Sequence, residues 1–210
     1  MTHMDVFTEI ADERRGLADL LEGLTPEQQA TRSLCEEWTV HDVAAHLLMP
    51  LEVGVPRFAV AIVLARMDFD KANVRLTGRV ARRPFADIVA GLRRRADSRF
   101  TPPGDGPEAP LTDLLIHGLD IRRPLGLARE IPTERLRTSL DYLATSGRGF
   151  VPKGALDGLR LEASDLDWSH GDGPAVRGTT EALLLGLTGR AAGLDELTGD
   201  GVATLRSRLA

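Results

Sequence analysis

The sequence predicts a mainly α-helical protein, α+β overall, in which a four-helix bundle is followed by a small α/β unit. Three observations predict it. Apolar residues recur at helical spacing through the first 125 residues. Helix start and stop signals punctuate that stretch. Beyond Gly126 the texture changes, and apolar and charged residues alternate from Leu159 to Ala163 as on a half-buried strand. The expected division is therefore a bundle over residues 1–127 and an α/β domain over 128–210. At 210 residues the chain can bury a full core.

The first helix is expected over residues 5–23, with Phe7, Ile10, Leu17, Leu20 and Leu21 as its apolar stripe and Gly23 near its end. Thr25-Pro26-Glu27-Gln28 reads as a short helical turn with Thr25 as cap and Pro26 at the first position. Thr39 opens the second long helix, and Asp42 suits the positive end of its dipole. Pro50 falls inside that helix, opposite the carbonyl of residue 46, so a bend is expected beside His46. A third helix is expected from Pro84 to Phe100, a Pro- and Gly-rich loop from Thr101 to Pro110, and a fourth helix from Leu111 to Leu125. Four helices of this length make a bundle. In the second half, Pro132 to Thr145 reads as a helix and Gly171-Asp172-Gly173-Pro174 as a turn before a short strand near Val176. Thr179 or Thr180 then caps a leucine-rich helix, and a last short helix ends the chain.

Hydrophobic residues make up 42% and charged residues 27%, the balance of a soluble globular domain. The net charge of −5 argues against a surface that tracks nucleic-acid phosphates. The one cysteine, Cys35, permits no intrachain disulfide, as in a reducing cytoplasm. No apolar run is long enough to span a bilayer, because Pro56 and Arg57 interrupt Val53 to Val63. Asp5, Glu9, Asp12 and Glu13 do not suit a signal peptide. A cytoplasmic monomer or homodimer is expected. Lysine occurs only at Lys71 and Lys153 against many arginines, the usage of a GC-rich genome.

The chemistry is expected in two histidine-bearing helices. On the fourth helix Asp113 and His117 are four apart and share a face. With Asp113 at zero on a helical wheel, Ile116, His117 and Asp120 fall within about 60° of it. The rest of the helix is apolar nearly all round. Buried ionisable groups are costly unless paired or bound to metal, so this arc reads as facing a polar cavity. On the second helix His46 shares an arc with Val43, Leu47 and Pro50. One histidine from one helix, with a carboxylate and a histidine from another, gives three divalent-metal ligands and leaves positions open for water or substrate. Zn²⁺ suits this set first, and Fe²⁺, Ni²⁺ or Mn²⁺ fit it as well.

Plainer readings stand beside this one. Taken alone, His46 reads more as a core histidine than as a ligand, while Asp113 with His117 reads equally as a helix-surface pair. Asp120 either orients His117 or pairs with Arg122 or Arg123. His3, His41 and His170 are expected to be exposed, Cys35 to be packing beside Leu34 and Trp38, and Arg93 to Arg95 to be a solvated face.

At these residues the chain resembles the mycothiol-dependent maleylpyruvate isomerase family. The resemblance lies in Cys35-x-x-Trp38-Thr39-Val40-x-Asp42-Val43-x-Ala45-His46-Leu47 and in Asp113 followed by His117-Gly118-x-Asp120-Ile121. It continues through Trp168 to Gly178, Leu185-x-Leu187-x-Gly189-Arg190 and Gly199-Asp200-Gly201, and so covers nearly the whole chain. It implies a DinB-like metal-binding bundle with ligands at His46, Asp113 and His117, and with Arg190 reaching the site to hold an anionic substrate or thiol cofactor. It also implies mycothiol, the thiol of actinobacteria, as cosubstrate. The carboxylate ligand is usually glutamate in that enzyme; here it is Asp113, whose shorter arm changes reach. The expected function is a metal-dependent enzyme that adds mycothiol to an electrophilic small molecule, as isomerase or S-transferase. Arg190, with Arg122, would hold substrate carboxylates. The rivals are a non-catalytic DinB-like binding protein and a metal-dependent hydrolase whose nucleophile is water.

Overall fold

The structure, a computed structural model, describes residues 5–35, 38–66 and 68–209; of residues 55, 56, 59, 69 and 70 it describes the backbone alone. The chain is helix-rich with one small sheet, as the sequence predicts. Its internal packing divides it into two units, Met1–Pro102 with Asp120–Leu127, and Pro103–Leu119 with Ala128–Ala210. One crossing falls between Leu127 and Ala128, where the sequence changes texture. The other two frame Pro103–Leu119, which the expected division placed with the first 127 residues.

The first unit is built from α1 (Val6–Glu22), α2 (Pro26–Gln29), α3 (Val40–Leu64), α4 (Phe69–Val80) and α5 (Phe85–Arg94). Asp5 caps α1 by accepting from the Phe7 N–H. Thr25 opens α2 with a full capping box closed by Gln28, as its sequence suggests. α1 and α5 bury Ile10, Leu21, Ile88 and Leu92 completely. A buried arginine, Arg14, holds the turn after α5 by donating to the carbonyls of Ala96 and Ser98 at 3.0 and 2.6 Å.

Three expectations for this unit need correction. The bend in α3 is at Gly54 (φ 67°, ψ 151°), not at Pro50. Proline keeps a helical φ, so the chain can continue helical past Pro50, whereas glycine enters the positive-φ region without a Cβ clash. The helix begun at Pro84 ends at Arg94, six residues before Phe100. α4 was not anticipated; its buried stripe among the described residues is thin, Ala72, Leu76, Thr77 and Val80.

A sixth helix, α6 (Glu108–Arg122), begins three residues earlier than expected and contributes its last residues, from Asp120 on, to the first unit and the rest to the second. The second unit continues with α7 (Thr133–Thr145), β1 (Arg160–Ala163), β2 (Ser169–His170), β3 (Ala175–Gly178), α8 (Thr180–Leu187), α9 (Ala191–Glu196) and α10 (Val202–Leu209). β1 is central, antiparallel to β2 and parallel to β3. Leu161 pairs with Val176 in the parallel register, and both side chains are fully buried. The expected turn at residues 171–174 is present. It needs its glycines: Gly173 has φ 129°, and a Cβ there would stand 2.2 Å from the Gly158 carbonyl oxygen. Thr179 caps α8, whose leucines 183, 184, 185 and 187 are all buried. The short α9 was not anticipated; six residues carry too little periodicity.

Candidate metal centre

The segment before α3 explains the spacing of the first motif. The Trp38 N–H donates to the Cys35 carbonyl at 2.7 Å. Thr39 follows at once as N-cap, accepting from the Asp42 N–H while the Asp42 carboxylate accepts from the Thr39 N–H at 2.9 Å. This fixes the start of α3, and His46 lies two turns along it. The Trp38 indole packs on the His46 ring with centroids 5.0 Å apart. His46 is half-buried, with its Nδ1 shut off from solvent.

α6 carries the second motif. His117 is 7% exposed and Asp120 fully buried, while Asp113, a turn earlier, is half-buried. His117 Nε2 lies 3.4 Å from Asp113 Oδ1. That is long for an N–H···O bond. It is the separation of two ligands each about 2.1 Å from one tetrahedral Zn²⁺, roughly 3.4 Å. The donor set and this spacing therefore fit a divalent metal. Of the expected ligands, Asp113 and His117 belong to the second packing unit and His46 to the first.

Cys35 corrects an expectation. Its thiol donates to Asp120 Oδ2 at 3.0 Å, and the Leu34 N–H donates to the Asp120 carbonyl at 3.1 Å. The cysteine is thus a polar partner of the α6 arc as well as packing. Its position four residues before the Thr39 cap of α3 was the available signal. His41 is also corrected: it is half-buried, edge-on to the Phe85 ring at 5.3 Å. His170 is exposed as expected, its ring 6.4 Å from that of Trp168. His3 lies outside the described residues.

Arg190 is the N-cap residue of α9, and its guanidinium donates to the Thr188 carbonyl at 2.9 Å. Arg122, the last residue of α6, is 9% exposed, and its carbonyl accepts from the Leu127 N–H at 3.0 Å.

The helix-rich fold with its one small sheet defines a mainly α-helical class of protein. The comparisons narrow it. Residues 10–122 match the mycothiol maleylpyruvate isomerase N-terminal domain, and the chain belongs to that family. Two solved structures share its fold: the mycothiol-dependent maleylpyruvate isomerase, at TM-score 0.59 and 19% identity, and a histidine-to-alanine mutant of that enzyme, at TM-score 0.58 and 18% identity. Each comparison covers 94% of this chain and 96% of the other. No curated protein matches the chain. Among the described residues, no helix is long and apolar enough to cross a membrane.

Proposed function

We propose that this protein is a divalent-metal-dependent enzyme that uses mycothiol to attack an electrophilic small molecule, as an isomerase or an S-transferase. His46, Asp113 and His117 would hold the metal, with zinc the first choice for two imidazoles and a carboxylate. The supporting observation is the 3.4 Å approach of His117 and Asp113 on α6, in a chain of this family. When bound, the metal supplies Lewis acidity that lowers the pKa of a thiol toward neutrality.

The chain's own residues have separate tasks. Asp120, one turn beyond His117 and fully buried, is the positioning group on α6, and the Cys35 thiol holds its carboxylate in place. Arg190 and Arg122 bind the substrate's carboxylates, for which a guanidinium offers a paired N–H fork. In the isomerase case the thiolate sulfur adds to one carbon of an activated cis double bond, and electrons move onto the activating carbonyl. Rotation about the resulting single bond and expulsion of the same thiolate leave the trans isomer, with no net change in atoms. In the transferase case the C–S bond remains and the adjacent carbon takes a proton from water. The expected domain division, 1–127 for the ligand helices and 128–210 for Arg190, belongs to the same proposal.

The test is elemental analysis of the purified chain beside an Asp113→Ala, His117→Ala double variant, with circular dichroism to check that both fold. About one divalent metal per chain, absent from the variant, and turnover that requires added mycothiol are expected. A folded protein that takes up no zinc would refute the metal site and leave a non-catalytic binding protein. Turnover without thiol would replace the thiol mechanism with a hydrolytic one.

A further inference from the structure

The most unusual surface of the first unit lies between the second half of α3 and α4. Val60 and Leu64 on α3 are 59% and 64% exposed, and Val74 on α4 is 54% exposed. Large aliphatic side chains left this open, Val60 and Leu64 one turn apart on α3, mark an interaction surface. Val60, Ala61 and Leu64 recur at helical spacing and line a groove of about 580 Å³, whose other wall includes Leu76 and Val80 of α4. That volume lies in the small-molecule range, roughly 300–1,000 Å³.

The groove is apolar on its floor and cationic on its rims. Arg57 stands on one side and Arg75 and Arg79 on the other. All three are exposed and have no ion-pair partner among the described residues. Arg83 also lines the groove, but Glu52 neutralises it at 2.6 Å. Residues 53–83 hold seven Lys and Arg against two Asp, a net +5 in a chain whose total is −5. Such segregation is not needed for folding and concentrates positive potential over one apolar groove.

From these observations we propose that the α3–α4 groove binds a single-chain anionic amphiphile, a fatty carboxylate. Its alkyl chain would lie along Val60, Leu64, Leu76 and Val80, and Arg75 and Arg79 would take its carboxylate. Charge complementarity selects the head group, and the apolar floor and the volume select the tail. A second copy of the chain docked by the same face is disfavoured, because two-fold pairing would set one cationic rim against the other. The proposal is independent of the metal centre and of the thiol chemistry.

The test is calorimetric titration of the full chain with decanoate below its micelle concentration. Sub-millimolar binding at about one site per chain is expected. Octanoate should bind roughly tenfold or more weakly, since each methylene removed costs about fourfold. An Arg75→Gln, Arg79→Gln double variant, altered only at exposed side chains, should keep the wild-type circular dichroism and lose at least tenfold in affinity. Leu64→Ser should weaken binding with the rims intact. Absence of binding, equal affinity for decanol, or an unchanged affinity in the double variant would overturn the proposal. Binding to phosphatidylglycerol vesicles without binding of monomeric decanoate would overturn it too, in favour of a membrane surface.

Discussion

Gly193→Ala tests how tightly α8 and α9 are joined, and through them how Arg190 is placed. Gly193 is buried near the middle of α9, and Arg190 is the residue that begins that helix. A Cβ at 193 would stand 2.4 Å from the Gly186 nitrogen, 2.4 Å from Leu185 Cβ and 2.8 Å from the Leu185 carbonyl carbon. Most of these are backbone atoms of α8, which cannot rotate aside. The helices would have to part by about 1 Å to reach ordinary contact, and overpacking of this kind costs about 1–3 kcal/mol. With backbone on the opposing side the upper end applies. Alanine returns about 1 kcal/mol of helix propensity. The net loss is then about 2 kcal/mol, a fall in Tm of roughly 4–8 °C for a chain of this size.

Gly16→Ala is the internal control. Nothing lies within 4 Å of a Cβ at Gly16 on α1, so only the propensity gain remains. Its Tm should rise by roughly 2–4 °C. Both variants are compared by thermal denaturation followed by circular dichroism. If Gly193→Ala melted with the wild type, or if both substitutions shifted Tm in the same direction, the close α8–α9 packing would be refuted. Because α9 begins at Arg190, the folded Gly193→Ala protein should also show a raised KM for an anionic substrate.

Two further outcomes are expected. Thr39→Ala removes the hydroxyl that accepts from the Asp42 N–H and starts the helix bearing His46; a loss of about 1 kcal/mol in denaturant unfolding is expected, and no loss would show that the cap is idle. Tyr142, the only tyrosine, is pushed up to about 12, first by burial and then by the Asp105 carboxylate, which accepts from its hydroxyl at 3.2 Å. In the unfolded chain it ionises near 10, so its contribution is complete below about pH 10 and is lost as pH rises toward 12. Near-ultraviolet titration should show no tyrosinate in the folded protein at pH 10, and Tyr142→Phe should flatten the alkaline loss of stability; ionisation at pH 10 in the native state would refute the burial argument.

The local chemistry of this chain was legible in its sequence. Caps are short-range devices, so Thr25, Thr39 and Thr179 mark helix starts by their own side-chain bonds to backbone two or three residues on. The Asp113–His117 relation follows from helical pitch alone, and the structure places the pair on one face of α6. The alternation around Leu161 announced the central strand.

What sequence reading could not supply came from neighbours far along the chain. The bend of α3 depends on whether a residue can leave helical angles, and the surroundings selected Gly54 over Pro50. The partnership of Cys35 with Asp120 joins residues 85 apart, so no local pattern encodes it. The split of α6 between two packing units, after Leu119, is likewise a property of contacts and not of composition. Periodicity records what each residue does to its own turn of backbone. Packing records which distant turn it meets, and only the folded chain holds that information.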